Sequence, residues 1–398
     1  MITNDRFHAN RFLRETPFHS RTSAANLVNA WHRWMDYTTA DVYHNVEIEY
    51  FAMRNSTGVF DLTPMTKTLI TGPDALPFLD RLLTRDASKI KPGRVAYCVW
   101  CNDQGQVIDD GTVFHLEEGV YRLCSQERQL DWMAISALGF DVTIEDVSDD
   151  VAALAVQGPT SCAVLRNMGL DGVENLKPFG ITWFPFAGTQ LMVSRTGFTG
   201  DLGYELWIDP DKAEVLWDTL FEAGGITNIR PIGTYALEMI RVEAAFIQAG
   251  VDFLPAQQAV RTTHTRSPLE LDLAWLVDLK KTNFSGRQAL LREKEKGSQY
   301  RLVKLDVESN KPANDAYIYN RRHKVVGWVT SAIWSPTCKA NIALATVETP
   351  YGTPGDELYA EIYYHRELKW NRMMARCQVV EKPFFNPPRR RATPALDY

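Results

Sequence analysis

The sequence predicts an α+β chain, with two pseudo-symmetric α+β lobes followed by a small β-barrel at the C-terminal end. Three patterns carry that expectation. A strand, a Gly-Pro turn and a helix with proline in its first turn occur twice, over Leu69–Leu83 and again over Leu154–Met168, as a duplicated unit would. Between the copies lie three short strand-like runs separated by turn residues. After residue 300, short strands recur at the regular spacing of a small barrel or sandwich.

The chain has 398 residues, of which 45% are hydrophobic, enough to bury a sizeable core in two or three domains. A formal charge of −6, from 43 basic and 49 acidic residues, leaves no electrostatic footprint for nucleic acid. Residues 1–20 mix charges with short apolar pieces and no run reaches membrane-span length, so neither a signal peptide nor a membrane partner is expected and the default location is cytoplasmic. The 6 cysteines do not form a disulfide framework, and the 8 histidines show no ligand spacing, so no metal site is expected. The lone Cys98-x-x-Cys101 pair reads as strand packing.

Taken in order, Leu27, Trp31 and Trp34 recur at helical spacing and predict a helix over 23–37. The meander follows as Arg94 to Cys101, Val107 to Leu116 and Val120 to Ser125, joined by Gly-containing turns. Its central strand carries Asp109 and Asp110, which period 2 sends to opposite faces, so at most one need be buried. The pair reads either as a solvated turn or as one carboxylate aimed at a site. The stretch Ser194–Ile208 joins two extended runs across glycines at 197, 200 and 203, positions that permit positive φ or close backbone approach. After that turn Glu205 and Trp207 share a strand face. Two readings stand for Glu205: a solvated edge glutamate, or a carboxylate accepting paired N–H donors from a flat heterocycle. A helix over 210–223 with Val215, Leu216, Thr219 and Leu220 on its stripe stops at Gly224-Gly225, and a second spans 235–247. The charge-rich Leu291–Tyr300 reads as a linker helix, dividing 1–290, with a meander lobe inserted at about 55–145, from 291–398. Arg389 to Arg391 reads as a solvated terminus.

The run SRTGFTGDLGYEL closely resembles the SRTGYTGExGxE segment of the glycine cleavage T-protein superfamily, folate-binding one-carbon transferases. GQVIDDGTVF resembles that family's GGxxDDLxV, Gly58 to Met65 its GxFDxSHM, Arg241-Val-Glu-Ala244 its RLEA, the 327–337 segment its GxITSGxxSPT, and Lys382-Pro-Phe its closing KPF. The resemblance implies a T-protein-like folate-binding fold, with tetrahydrofolate as cofactor. It implies Glu205 on the aminopyrimidine end of the pterin, Asp110 facing N5 as the catalytic group, and Tyr97, Met65, Phe198, Phe114, Phe246, Arg241 and Trp334 as further cofactor-binding positions. The N-terminal RFLRETPFHSR, Arg11 to Arg21, is similar to the start of the tetrahydrofolate-dependent dimethylsulfoniopropionate demethylases, relatives of the T-protein.

Departures matter as much as matches. The motif leucine is Gly111, three pocket tyrosines are Phe114, Phe198 and Phe246, and the arginine of the family's GARD is Leu237. Loss of a guanidinium fork alters contacts to a carboxylated ligand. The expectation is therefore a demethylase moving a methyl group from a small S-, N- or O-methyl compound to tetrahydrofolate. The alternatives are the aminomethyltransferase of glycine cleavage, which needs a lipoylated carrier protein, and a non-catalytic folate-binding module. The module's KGCYxGQE signature is missing at 91–100. No GxGxxG follows a strand, so flavin could come only from a separate subunit.

Overall fold

The two copies of the strand–turn–helix unit fall in two different sheets of the computed structural model, which describes residues 13–395. Thr66–Thr71 passes through Gly72 into the helix Ala75–Leu82, and Ala152–Gln157 passes through Gly158 into Ser161–Asn167. The turn glycines match in conformation, with φ of 118° and 122°. A Cβ would lie 2.8 Å from the Asp141 carbonyl oxygen at Gly72 and 2.4 Å from that of Ser56 at Gly158, so glycine is required at both.

The first copy belongs to a five-stranded antiparallel sheet, in the order Arg94–Cys101, Val107–Glu117, Val120–Ser125, Thr66–Thr71, Thr143–Asp146. The second belongs to a six-stranded sheet, in the order Ile181–Phe186, Thr189–Ser194, Gly203–Ile208, Ala152–Gln157, Gly58–Asp61, Arg230–Pro231. Gly58–Asp61 pairs directly with Ala152–Gln157, although the whole five-stranded sheet lies between them in sequence. Each sheet covers its own core: Phe78, Leu79, Leu82 and Trp100 beneath the first, Leu154, Val156, Leu206 and Leu216 beneath the second. From Tyr300 to Val380 six strands close into a barrel around Leu305, Ile318, Ala345 and Cys377. The α+β class and the C-terminal barrel are thus both present.

A buried ion pair within the lobes also takes a hydrogen bond from the barrel. Glu243, on the helix Thr234–Glu243, accepts from Arg54 Nε and Nη2 at 2.9 and 2.7 Å, from the Tyr50 hydroxyl at 2.6 Å and from Ser335 of the barrel at 2.5 Å. Breaking one partner of such a buried pair costs roughly 3–5 kcal/mol, because the other charge stays in place without water.

Several expectations need correction. The stretch 23–37 is not a helix: a short helix His19–Ala25 ends there and a hairpin of Ala30–Trp34 with Tyr37–Val42 follows. Asn26 decides this. Its Oδ1 accepts from the backbone N–H of Val28 and Asn29, and Asn29 turns to φ 57°, a competing local bond that a helix does not offer. Leu27 is left 73% exposed. In the helix Ala213–Ala223 the buried stripe is Ala213, Leu216, Trp217 and Leu220, with Val215 outside it. The linker helix runs Arg287–Lys296 and the barrel strand begins at Tyr300. The C-terminal arginines are not a solvated tail, since Arg389 makes a two-pronged bond to Asp201 at 2.6 and 2.8 Å. Arg11, which opens the RFLRETPFHSR pattern, lies outside the described residues. Among the described residues no helix is long and apolar enough to cross a membrane.

Candidate folate site

Glu205 enters the site from the strand Gly203–Ile208, paired with Ser194 on one side and Ala155 on the other. It lines a small cavity, of about 20 Å³, together with Met53, Phe60, Leu62, Phe198 and Leu237. Its Oε2 accepts from the Thr196 hydroxyl at 2.5 Å and the Ser194 hydroxyl at 3.3 Å, and Ser194 in turn receives Trp207 Nε1 at 3.1 Å. Among the described residues Oε1 takes no hydrogen bond. Burial pushes the carboxyl up to about 7, against the two hydroxyls that favour its charge. A carboxylate with one oxygen held and one available, set among apolar walls, suits a flat ligand that offers N–H donors.

Gln157 is what holds the glycine loop beneath Glu205. Its Nε2 donates to the carbonyls of Thr196 and Tyr204 at 3.0 Å each, and its Oε1 accepts from Thr199 at 2.9 Å. A Cβ at Gly197 or Gly203 would lie 2.0 or 2.1 Å from that amide, so these two glycines serve close approach, whereas Gly200 alone of the three takes positive φ, at 70°.

Asp110 stands on the other sheet. Its Oδ2 accepts from the Tyr97 hydroxyl at 2.6 Å, across the pair of strands Arg94–Cys101 and Val107–Glu117. Burial raises it to about 6, and the tyrosine bond opposes that rise. The Tyr97 ring lies 6.1 Å from that of Trp275, which is largely exposed. Period 2 holds: Asp109 faces the other way, fully buried, accepting from the backbone N–H of Asp110 at 2.9 Å and of Glu127 at 3.3 Å. Desolvation pushes Asp109 well above the usual carboxylate range, the neighbouring Asp110 charge adding to it. Met239 packs against both the cluster that Tyr97 flanks and the cluster containing Phe60, linking the two carboxylate ends through one helix.

The other positions divide. Phe198 lines the cavity and stacks on Phe246, with ring centroids 5.6 Å apart at 23°. Met65 is half-buried against the cluster of Phe114, Met192 and Trp207. Phe114 is fully buried, 5.1 Å from Trp207 in an edge contact, and supports the indole behind Glu205 without facing the cavity. Arg241 is spent within the protein: its donors go to Glu238, Asp252, Ser331 and the Phe246 carbonyl, which leaves no N–H for a ligand. Trp334 is 47% exposed, because Ile333 and Ser335 take the inward face of its strand and alternation turns the indole outward. Neither Arg241 nor Trp334 is among the residues that line the Glu205 cavity.

Phe60 and Leu62 come from the Gly58–Met65 segment that the resemblance implied for the pocket, whereas Met53, Ala155, Gln157 and Thr199 were not anticipated as lining residues. Only Gln157 carried a signal, as the polar end of the otherwise apolar run Ala152–Gln157. Gly111 has a packing cause: a Cβ there would lie 2.2 Å from the Cys124 carbonyl oxygen, so leucine cannot occupy this backbone. Two of the departures from the resembled motifs, Gly111 and Phe114, thus concern strand packing and not ligand contact.

Comparison with known proteins agrees with this architecture. Residues 18–281 match the GCVT N-terminal domain and residues 301–386 the glycine cleavage T-protein C-terminal barrel domain. The chain is 32% identical over 347 residues to the aminomethyltransferase of Desulforamulus reducens, covering 86% of this chain and 90% of that one. It is 33% identical over 348 residues to that of Caldanaerobacter subterraneus subsp. tengcongensis, covering 86% and 88%. The solved glycine cleavage system aminomethyltransferase T from Bartonella henselae superposes with a TM-score of 0.81 at 25% identity, covering 94% of this chain and 99% of that one. These names favour aminomethyl transfer over the demethylase expectation.

Proposed function

Since the chain belongs to the glycine cleavage T-protein family, as a tetrahydrofolate-dependent one-carbon transferase, we propose that its donor is an aminomethyl group carried by a lipoylated protein. The observation that supports this reading is a pair of carboxyls raised by burial, Glu205 at the cavity and Asp110 beside Tyr97 on the other lobe, whose surroundings meet at Met239. Glu205 accepts the paired N–H donors of the pterin edge, and Phe60, Leu62 and Phe198 keep water from its faces. Asp110 holds or takes the proton that the acceptor nitrogen loses as its bond to carbon forms, a role worth roughly 10²–10⁴ in rate. Tyr97 orients Asp110 and steadies its charge. The packing cause of Gly111 and the burial of Phe114 remove two of the reasons for preferring a different donor.

One observation favours a second reading. Leu237 lines the cavity where the resemblance implies arginine, and Phe198 and Phe246 have no hydroxyls, which suits a methyl donor that is small, apolar or cationic. Two assays separate the readings. Restoration of glycine breakdown in a purified glycine cleavage mixture lacking its own T-protein supports the first. Failure there, with 5-methyltetrahydrofolate formed from dimethylsulfoniopropionate, glycine betaine, dimethylglycine or a methoxybenzoate, overturns it in favour of methyl transfer.

A further inference from the structure

The C-terminal tail is pinned onto the glycine loop that carries the site. Arg389 bonds Asp201 with both prongs, Arg195 Nη2 donates to the Ala392 carbonyl at 2.6 Å, and Nη1 reaches Thr393 Oγ1 at 3.0 Å. Beyond these, Ala395 N donates to the Glu174 carbonyl at 2.7 Å and the Ala395 side chain is buried. Arg390 sits between these anchors. Its guanidinium carbon lies 4.9 Å from the Phe246 ring centroid, and Phe246 stacks on Phe198, a wall of the Glu205 cavity.

Other guanidiniums near the cavity are committed. Arg241 is saturated, and Arg54 gives its donors to Glu243 and to the carbonyls of Thr199 and Ile240. Arg390 differs: among the described residues its side chain makes no hydrogen bond or ion pair, although it is half-buried. Asp201, the carboxylate whose charge acts on it, gives both oxygens to Arg389. A partly desolvated cation without an acceptor is costly to keep unless a ligand supplies one. The ligand implied for the cavity has a flat heterocycle at one end and an arylamide tail ending in carboxylates, and the arginine expected for that tail is Leu237.

We propose that Arg390 reads the carboxylated tail of the acceptor, so that a guanidinium fork carried by the C-terminal segment replaces the one missing at position 237. The inference rests on the tetrahydrofolate reading of the Glu205 cavity. Phe198 lines the cavity beside Glu205 and stacks on Phe246, over which Arg390 lies, so contacts run from the pterin end to the fork, which takes the carboxylate in a bidentate bond.

The test uses the full-length protein and two ligands. Dissociation constants for 5-methyltetrahydrofolate and for 6-methyltetrahydropterin, which lacks the arylamide tail, are measured by calorimetry on wild type, Arg390→Met, Arg390→Lys and the neighbouring control Arg391→Met. Arg390→Met is expected to weaken the folate at least tenfold and leave the pterin within twofold. Arg390→Lys, which keeps the charge without the fork, falls between, and Arg391→Met matches wild type. Arg390→Met binding both ligands as wild type does overturns the role of Arg390 while leaving the folate reading in place, and so does an equal loss for both ligands. Wild type binding neither ligand overturns the folate reading and the role of Arg390 with it.

Discussion

Glu205 and Asp110 are the same functional group in two settings, one on each lobe. Both are half-buried on β-strands, both are lifted by burial, to about 7 and about 6, and both accept from hydroxyls. Their surroundings differ. Glu205 is backed by Gln157, crowded between two glycines, and fronts an apolar cavity, so its carboxylate is fixed in position. Asp110 meets one phenol at the end where Tyr97 approaches the exposed Trp275 ring. A fixed carboxylate is suited to recognition. One with a single hydroxyl partner and a midpoint near neutrality is suited to exchanging a proton.

The sharpest test of that division is Asp110→Asn, which preserves size and hydrogen bonding but not the proton-accepting charge. Turnover is expected to fall by about 10²-fold or more with folate affinity within a few-fold, measured by single-turnover rates beside titrations. Equal losses in both would erase the distinction between the two ends. Glu205→Gln should do the reverse: replacing a charged acceptor with an amide that presents one N–H donor to the pterin edge costs about 1.5–3 kcal/mol of folate binding by calorimetry.

pH separates the two ends next. The empty-site Glu205 is protonated below about 7, and the pterin donors need the charged form, so folate affinity should rise about tenfold between pH 6 and pH 8 and stay flat in Glu205→Gln. Stability moves the other way. A carboxyl raised in the folded state holds its proton more tightly than in the unfolded chain. Its contribution is therefore fully present below the ordinary carboxylate range and is lost as pH rises through about 7, a slope that Glu205→Gln should remove from denaturant titrations.

A smaller effect is expected from Tyr97→Phe. Losing the phenol bond moves the Asp110 midpoint upward from about 6, so the acid limb of the turnover profile shifts to higher pH while folate affinity holds. The smallest functional effect belongs to Asp109. Asp109→Asn should leave rate and affinity unchanged, whereas Asp109→Ala strips the acceptor from the N–H groups of Asp110 and Glu127 and costs about 1–3 kcal/mol of stability in denaturant melts.

Much of this architecture is legible in the sequence. The duplicated strand–turn–helix unit was visible because each copy needs the same positive-φ glycine. The barrel was visible because short alternating strands must be broken by turns at regular intervals, and the opposed faces of Asp109 and Asp110 follow from period 2 alone. The N-terminal hairpin was not, because Leu27, Trp31 and Trp34 have helical spacing while the side chain of Asn26 offers the backbone a competing bond.

Residue types and spacing by themselves determined the lobes, the barrel, and the face on which each carboxylate stands, since these depend on local periodicity and turn stereochemistry. Tertiary structure alone decided which groups remain available to a ligand. Arg241 is consumed by Asp252 and Ser331, and Trp334 is turned outward. Gly111 answers to the Cys124 carbonyl, and Arg390 is carried to the Phe246 ring by the ending of the chain. The reason is physical: a hydrogen-bond donor or an aromatic face serves a ligand only if no protein group has already taken it, and those partners lie far away in sequence.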